Sequence, residues 1–165
     1  MYLFFNTLHS ILRWLIVLAA LFVLIRAATG ISFKRGWRKM DNSAGLCYTI
    51  LLDVQVLIGI ILYFFLSPTT QIALQNFGGA MRDSVMRFFA VEHVIGMVIA
   101  VVVAHVGRSL VRKIDLTRVS DSKERQNLSV KKHRRAAIWT VISLLIVLAS
   151  VPWPFLAAGA GRGWF

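Results

Sequence analysis

The fold is decided by residues 86–107, MRFFAVEHVIGMVIAVVVAHVG, an apolar stretch that carries two histidines. A helix that crosses the hydrocarbon core of a bilayer, which is about 30 Å thick, needs about 20 predominantly apolar residues. This stretch meets that requirement, and so do residues 3–25, 44–66 and 136–155. Because lipid offers backbone groups no hydrogen-bond partners, four such spans predict an all-α, integral-membrane four-helix bundle that forms a single domain over residues 1–165.

The composition excludes an ordinary soluble domain. Hydrophobic residues make up 58% of the chain and charged residues only 16%, whereas soluble domains have about 45–50% and about 25%. The first span is too long for a removable signal peptide and lacks the basic lead of one, so we expect a permanent helix. The single cysteine, Cys47, excludes an intramolecular disulfide and any metal site built from cysteines alone.

Basic residues are concentrated in two of the three segments that connect the spans. Connectors 26–43 and 108–135 hold most of the 19 lysines and arginines. Since cytoplasmic loops are enriched in these residues, both connectors are predicted to be cytoplasmic, with both termini on the outer side of the membrane. The net charge of +12 then favours the anionic inner leaflet as a partner over nucleic acid.

Two histidines lie at the same predicted depth in the outer half of the membrane. The helical rise places His9 about 9 Å below the outer end of the first span and His93 about 10 Å below the outer end of the third. Two imidazoles at one level on facing helices are what the two axial ligands of a haem require, and helix bundles commonly hold cofactors in this way. The spacing therefore predicts one haem b with His9 and His93 as its iron ligands.

Small residues follow His93 on the same side of its helix. Gly96 and Ala100 leave room there either for a flat macrocycle or for a close helix neighbour. Arg82 and Arg87 lie outward of His93, where haem propionates would emerge. The predicted cofactor-binding set is His9, His93, Arg13, Arg87, Gly96 and Ala100. The competing interpretation is a packing seam in which both histidines form hydrogen bonds between helices.

Other ionisable residues within the spans should face inward, because a lone charge in hydrocarbon is costly. The levels of Arg13 and Asp53 differ by about 5 Å, so we expect either a buried ion pair or a neutral, hydrogen-bonded Asp53. His105 and His133, near the cytoplasmic side, form a second candidate haem pair. The simpler interpretation of His133 is a residue of the solvated basic flank.

Four strings together resemble a family of small four-helix bacterial membrane proteins labelled cytochrome b or cytochrome b-like. The strings are LHSILRW at 8–14, QVLIGIILYF at 55–64, RFFAVEH at 87–93 and SVPWPF at 150–155. The resemblance covers nearly the whole chain and implies haem b held by histidines, with His9 and His93 at the matching positions. One departure is Asp53, which stands where family members often carry a histidine.

These features predict a membrane-anchored electron carrier that passes electrons between quinol in the bilayer and a larger respiratory or photosynthetic complex. Two nitrogen ligands leave the iron no open position, so the haem would exchange single electrons and would not activate oxygen. No other substrate chemistry is visible, which leaves the term enzyme open. The alternative is a cofactor-free accessory subunit of a larger membrane complex, which does not need two histidines at one depth.

Overall fold

The computed structural model describes residues 1–159, which form helices and no strand. The helices are α1 (Tyr2–Ser32), α2 (Lys39–Ile61), α3 (Pro68–Gln75), α4 (Phe77–Ala80), α5 (Ser84–Arg87), α6 (His93–Arg112) and α7 (Ser122–Ala149). Two π-helical turns, Leu62–Leu66 and Phe88–Glu92, extend α2 and join α5 to α6. The predicted position of the C-terminus falls on residues 160–165, outside the described residues.

Three helical segments are long and apolar enough to cross a membrane. They are Tyr2–Ser32, Lys39–Leu66 and Ser84–Arg112, with mean hydropathies of 2.3, 2.3 and 2.1. The all-helical class is therefore confirmed over the described residues, together with three candidate membrane spans.

The fourth predicted span, residues 136–155, falls largely within a helix that has different bounds. α7 already begins at Ser122, because lysine, arginine and glutamine are good helix formers and carry the helix through the basic segment. Its N-terminus is capped by Asp121, which accepts a hydrogen bond from the amide of Glu124 at 2.8 Å. The helix ends at Ala149, shortly before two prolines. The apolar part, residues 136–149, is about 21 Å long at the helical rise.

Both basic connectors are shorter than predicted. Only residues 33–38 separate α1 from α2, where the prediction was 26–43, and only residues 113–121 separate α6 from α7, where it was 108–135. The basic residues on either side of these loops continue the helices beyond their apolar parts. Lys34 turns the first loop with a left-handed φ of 48°.

The long helices pack in a ring of neighbours. α7 packs against both α1 and α6, while α2 packs closely against α1 and more loosely against α6. The two helices that carry His9 and His93, α1 and α6, therefore face each other across this group. The residues at its centre are almost fully buried and include Ile16, Ala20, Leu52, Ala100 and Val147.

A polar connection crosses this apolar centre. The hydroxyls of Tyr48 on α2 and Ser143 on α7 are 2.9 Å apart, and Ser143 Oγ also donates to the carbonyl oxygen of Ala100 on α6 at 2.9 Å. Hydrogen bonds of this kind between helices in lipid contribute about 0.6 kcal/mol on average. The connection fixes the register of three helices below the two outer histidines.

Candidate functional site

His9 on α1 and His93 at the start of α6 face each other. Their ring centres are 6.2 Å apart and their planes are inclined by 66°. An imidazole nitrogen lies about 2 Å from a metal that it coordinates and about 1 Å from its own ring centre, so two imidazoles on opposite sides of one metal have centres about 6 Å apart. The separation of the two ring centres is thus close to the spacing of a pair that shares one metal ion.

A backbone carbonyl sets the orientation and tautomer of His93. Its Nδ1 lies 2.6 Å from the carbonyl oxygen of Ser150, at the end of α7. Since a carbonyl oxygen only accepts, Nδ1 carries the hydrogen, and in the neutral ring Nε2 keeps its lone pair. Phe88 and Phe89 pack against the ring, with centres 6.0 and 6.5 Å away. Histidines that bind metals usually donate the hydrogen of their other ring nitrogen to a carbonyl or a carboxylate in this way.

A hydrogen bond holds the backbone of His9, and the side chain of His9 faces His93. The amide of Gln55, a buried residue of α2, donates to the carbonyl oxygen of His9 at 3.0 Å. The Nδ1 of His9 is buried without a hydrogen-bond partner among the described residues. Gly59 places the backbone of α2 beside the ring of His9. A Cβ atom added to Gly59 would lie 3.4 Å from His9 Cε1, which is a close contact. His9 therefore offers one ring nitrogen, Nδ1, that the described part of the chain does not satisfy.

The two π-helical turns meet at the level of this site. Tyr63, in the turn that follows α2, donates its hydroxyl hydrogen to the carbonyl oxygen of Ala90 in the turn before His93, at 3.0 Å. Single π-helical turns are rare and often occur at functional sites. We did not assign roles to Tyr63, Gln55 or Ser150 from the sequence. Tyr63 and Gln55 could have been noticed in the sequence as polar side chains within an apolar span.

Arg13 adds positive charge to the site. It follows His9 by one helical turn on the same face of α1, and its charge acts on both His9 and His93. Its guanidinium also lies 5.5 Å from the ring centre of Trp14. This arrangement suits an anionic group, such as a carboxylate, that approaches the two histidines.

Arg87 is engaged within the chain. Its Nε donates to Glu92 at 2.8 Å and its Nη1 to the carbonyl oxygen of Met81 at 3.2 Å. The predicted role of Arg87 as a propionate partner therefore competes with an ion pair that the sequence reasoning missed. Arg82, the other predicted propionate partner, is exposed in the outer connector.

Gly96 and Ala100 lie in a packing seam with α7. A Cβ on Gly96 would overlap the hydroxyl of Ser150, and Ala100 is completely buried. Of the two alternatives left open by the sequence, the close helix neighbour is the one present. This corrects the prediction that these two residues line the space of a macrocycle, because depth and face alone did not show how closely α7 approaches.

The second histidine pair is not brought together. His105 Nε2 lies 2.8 Å from Asp53 Oδ1, while His133 is buried beside Trp37, with ring centres 4.9 Å apart. The predicted second haem between His105 and His133 therefore has no shared site among the described residues. The expected Arg13–Asp53 ion pair is also corrected, since the partner of Asp53 is His105. His133 is not a solvated residue, because Gly30 gives its ring room to pack against α1.

A buried ion cluster lies at the end of the bundle that is predicted to be cytoplasmic, and the sequence analysis did not predict it. Asp41, which is 4% exposed, accepts hydrogen bonds from Arg26 at 2.8 Å, from Arg35 at 2.9 and 3.0 Å, and from the amide of Arg38 at 2.7 Å. The hydrogen bond with Asp41 raises the pKa of Arg35. The available signal was that Asp41 is the only acidic residue in a basic connector.

No three histidine, cysteine, aspartate or glutamate side chains within residues 1–159 form a group that could hold a metal ion. A scan against protein-family models, a search of curated proteins and a search of solved structures each found no match. The resemblance to small cytochrome b-like membrane proteins therefore stays a prediction.

Proposed function

We propose that the protein is a four-helix electron carrier of the bacterial inner membrane, with both termini outside, that holds one haem b between His9 and His93. The observation that carries the proposal is the 6.2 Å between the two ring centres. This value suits two imidazoles on one iron, whereas rings on diverging faces would not. The buried Nδ1 atom of His9, which lacks a hydrogen-bond partner among the described residues, is compatible with a ligand here.

Each ligand has its own support. The carbonyl of Ser150 fixes His93 with Nε2 free to coordinate, and Gln55 fixes the backbone that carries His9. Arg13 provides the positive charge for a carboxylate of the cofactor. Phe88 and Phe89 shield His93 from water, which keeps the local dielectric constant low and makes the nearby charge more effective.

Haem b with two imidazole ligands supplies one-electron transfer and has no open coordination position. The chain's contribution is to position the two rings and to exclude water around them. Quinol in the bilayer and a larger respiratory or photosynthetic complex are the proposed donor and acceptor. The anionic inner leaflet is the proposed partner of the basic helix ends.

The second candidate function is that of a cofactor-free accessory subunit of a larger membrane complex. The seam between Gly96 and Ser150 favours it, because small residues there already serve helix packing. In that case His9 and His93 would serve only contacts between helices. The two candidates differ in whether the purified protein contains haem.

The test is a reduced-minus-oxidised visible spectrum of the detergent-purified protein, expressed with an ample supply of haem. We expect a b-type alpha band and about one haem per chain. His9→Ala and His93→Ala should each lose that haem, while the matched control His105→Ala should retain it. A folded protein without the alpha band would contradict the proposal and favour the accessory subunit.

A further inference from the structure

An acid–base pair lies on the outer surface of α2 and α6 at a depth that belongs to the hydrocarbon. Asp53 is near the middle of the span Lys39–Leu66, and its partner His105 is within the span Ser84–Arg112. The two side chains are 2.8 Å apart, yet 43% of Asp53 and 49% of His105 are exposed. Ionisable residues at this depth almost always face protein or a water-filled cavity. We therefore expect another molecule to cover this surface in the membrane.

The rest of this surface is apolar. On α2, Ile50 and Leu57 lie one turn on either side of Asp53, and on α6 Val98 and Val102 lie outward of His105. All four side chains are exposed. We call Asp53, His105 and these four residues the α2–α6 face. α2 and α6 are the least closely packed of the neighbouring pairs of long helices.

The pair has unused hydrogen-bonding capacity. Its contact joins Asp53 Oδ1 to His105 Nε2, and neither side chain has a second partner among the described residues. Asp53 Oδ2 can therefore still accept a hydrogen bond. A carboxylate accepts and an imidazole N–H donates, so the face carries an acceptor and a donor side by side and is complementary to itself.

We propose that the α2–α6 face is the surface through which two copies of this chain associate in the membrane. A two-fold interface places the same patch on both sides, so the patch must complement itself. Asp53 of one copy would then pair with His105 of the other, and the exposed apolar residues of the two copies would pack against each other. This inference does not depend on haem binding.

Cross-linking in the membrane tests the proposal. Cys47→Ser removes the only cysteine, after which Ile50→Cys and Leu57→Cys are introduced separately on the α2–α6 face. The matched control is Leu18→Cys, an exposed position on α1. Mild oxidation of native membranes should give disulfide-linked dimers for at least one of the two α2 positions, and at least ten-fold less for Leu18. Equal cross-linking at all three positions, or none on α2, would overturn the proposal.

A second measurement tests whether the polar pair, and not nonspecific association of the apolar residues, holds two copies together. Light scattering in mild detergent should give a protein mass of twice 18.5 kDa for the natural chain. The variant Asp53→Leu with His105→Leu should give a single chain. If that variant does not fold, the cross-linking comparison decides alone. A monomeric natural chain, whether it carries a quinone at this face or cross-links to a different protein, would contradict a second copy as the occupant.

Discussion

The two halves of the molecule both contain buried polar groups, but they use them differently. In the half predicted to be cytoplasmic, Asp41 is satisfied by Arg26, Arg35 and the amide of Arg38. In the half predicted to be the outer one, His93 is oriented by a carbonyl and faces the ring of His9. Buried nitrogens without a partner within residues 1–159 occur in both halves, at His9 and at His133, so the distinction rests on the facing pair of rings. A carboxylate surrounded by its donors maintains structure, whereas two facing imidazoles suit a ligand. Changes in the two halves should therefore separate stability from cofactor binding.

The largest effect on stability is expected from Asp41→Asn. It leaves the guanidinium groups of Arg26 and Arg35 without their carboxylate, and breaking a buried ion pair in this way costs about 3 kcal/mol or more. Thermal unfolding in detergent should show a strongly lowered midpoint, with haem per folded chain unchanged. Asp115→Asn, at an exposed ion pair with Arg118, is the control and should change little. Loss of haem at unchanged stability would contradict the division between the halves.

Gly96→Ala tests whether the small residues after His93 serve packing. The added methyl group overlaps Ser150, and overpacking of this kind costs about 1–3 kcal/mol. The midpoint of thermal unfolding should fall, and adding Ser150→Gly should restore much of it, since the two residues are in contact. If Gly96→Ala instead removed haem from an equally stable protein, the original assignment of Gly96 to the cofactor would return.

Tyr63→Phe removes the hydrogen bond that joins the two π-helical turns in the outer half. A single hydrogen bond of this type contributes about 1 kcal/mol. We expect a small decrease of the unfolding midpoint and a weaker retention of haem during purification, because the turn before His93 loses its hydrogen bond to Tyr63. Tyr2→Phe, at the N-terminus, is the matched control. Unchanged haem retention would show that the turns do not support the ligand.

The smallest effect is a pH dependence at the cytoplasmic end. Burial of the ring lowers the pKa of His133, and the charge of Asp41 offsets this only in part. The folded state therefore prefers the neutral ring, so this contribution to stability is complete above the ordinary pKa of about 6.5 and is lost as the pH falls below it. The unfolding midpoint should drop between about pH 7.5 and about pH 5, and less so in His133→Gln. Equal pH dependence in both proteins would remove His133 as the cause.

Sequence patterns were sufficient for the helical class, for three spans and for the meeting of His9 and His93. Hydrophobic length identifies a spanning helix because the bilayer sets a fixed thickness. Depth can be counted along a helix because its rise is constant, which is why the level of the two histidines could be matched. The ends of α7 could not be obtained in this way, because polar residues with good helix propensity continue a helix without any apolar signal.

Residues that act through side-chain contacts between distant segments were harder to predict. Asp53 was expected to meet Arg13 because an arginine side chain can span the difference of about 5 Å between their levels, but level alone does not give the direction of a side chain around its helix. The burial of His133 could not be predicted because the neighbouring residues in the sequence are basic. In the structure its ring packs against Gly30 and Trp37. Ser150 acts through its carbonyl, a group that every residue has, so no side-chain pattern could have revealed it.

The most direct test of the central claim is electron paramagnetic resonance of the oxidised, haem-loaded protein in three forms. The natural chain should give the low-spin signal of iron with two imidazole ligands. His9→Ala and His93→Ala should each give a high-spin signal or no haem, and free imidazole should restore the low-spin signal wherever haem remains. A low-spin spectrum that survives the loss of either histidine would show that the two rings do not share one iron.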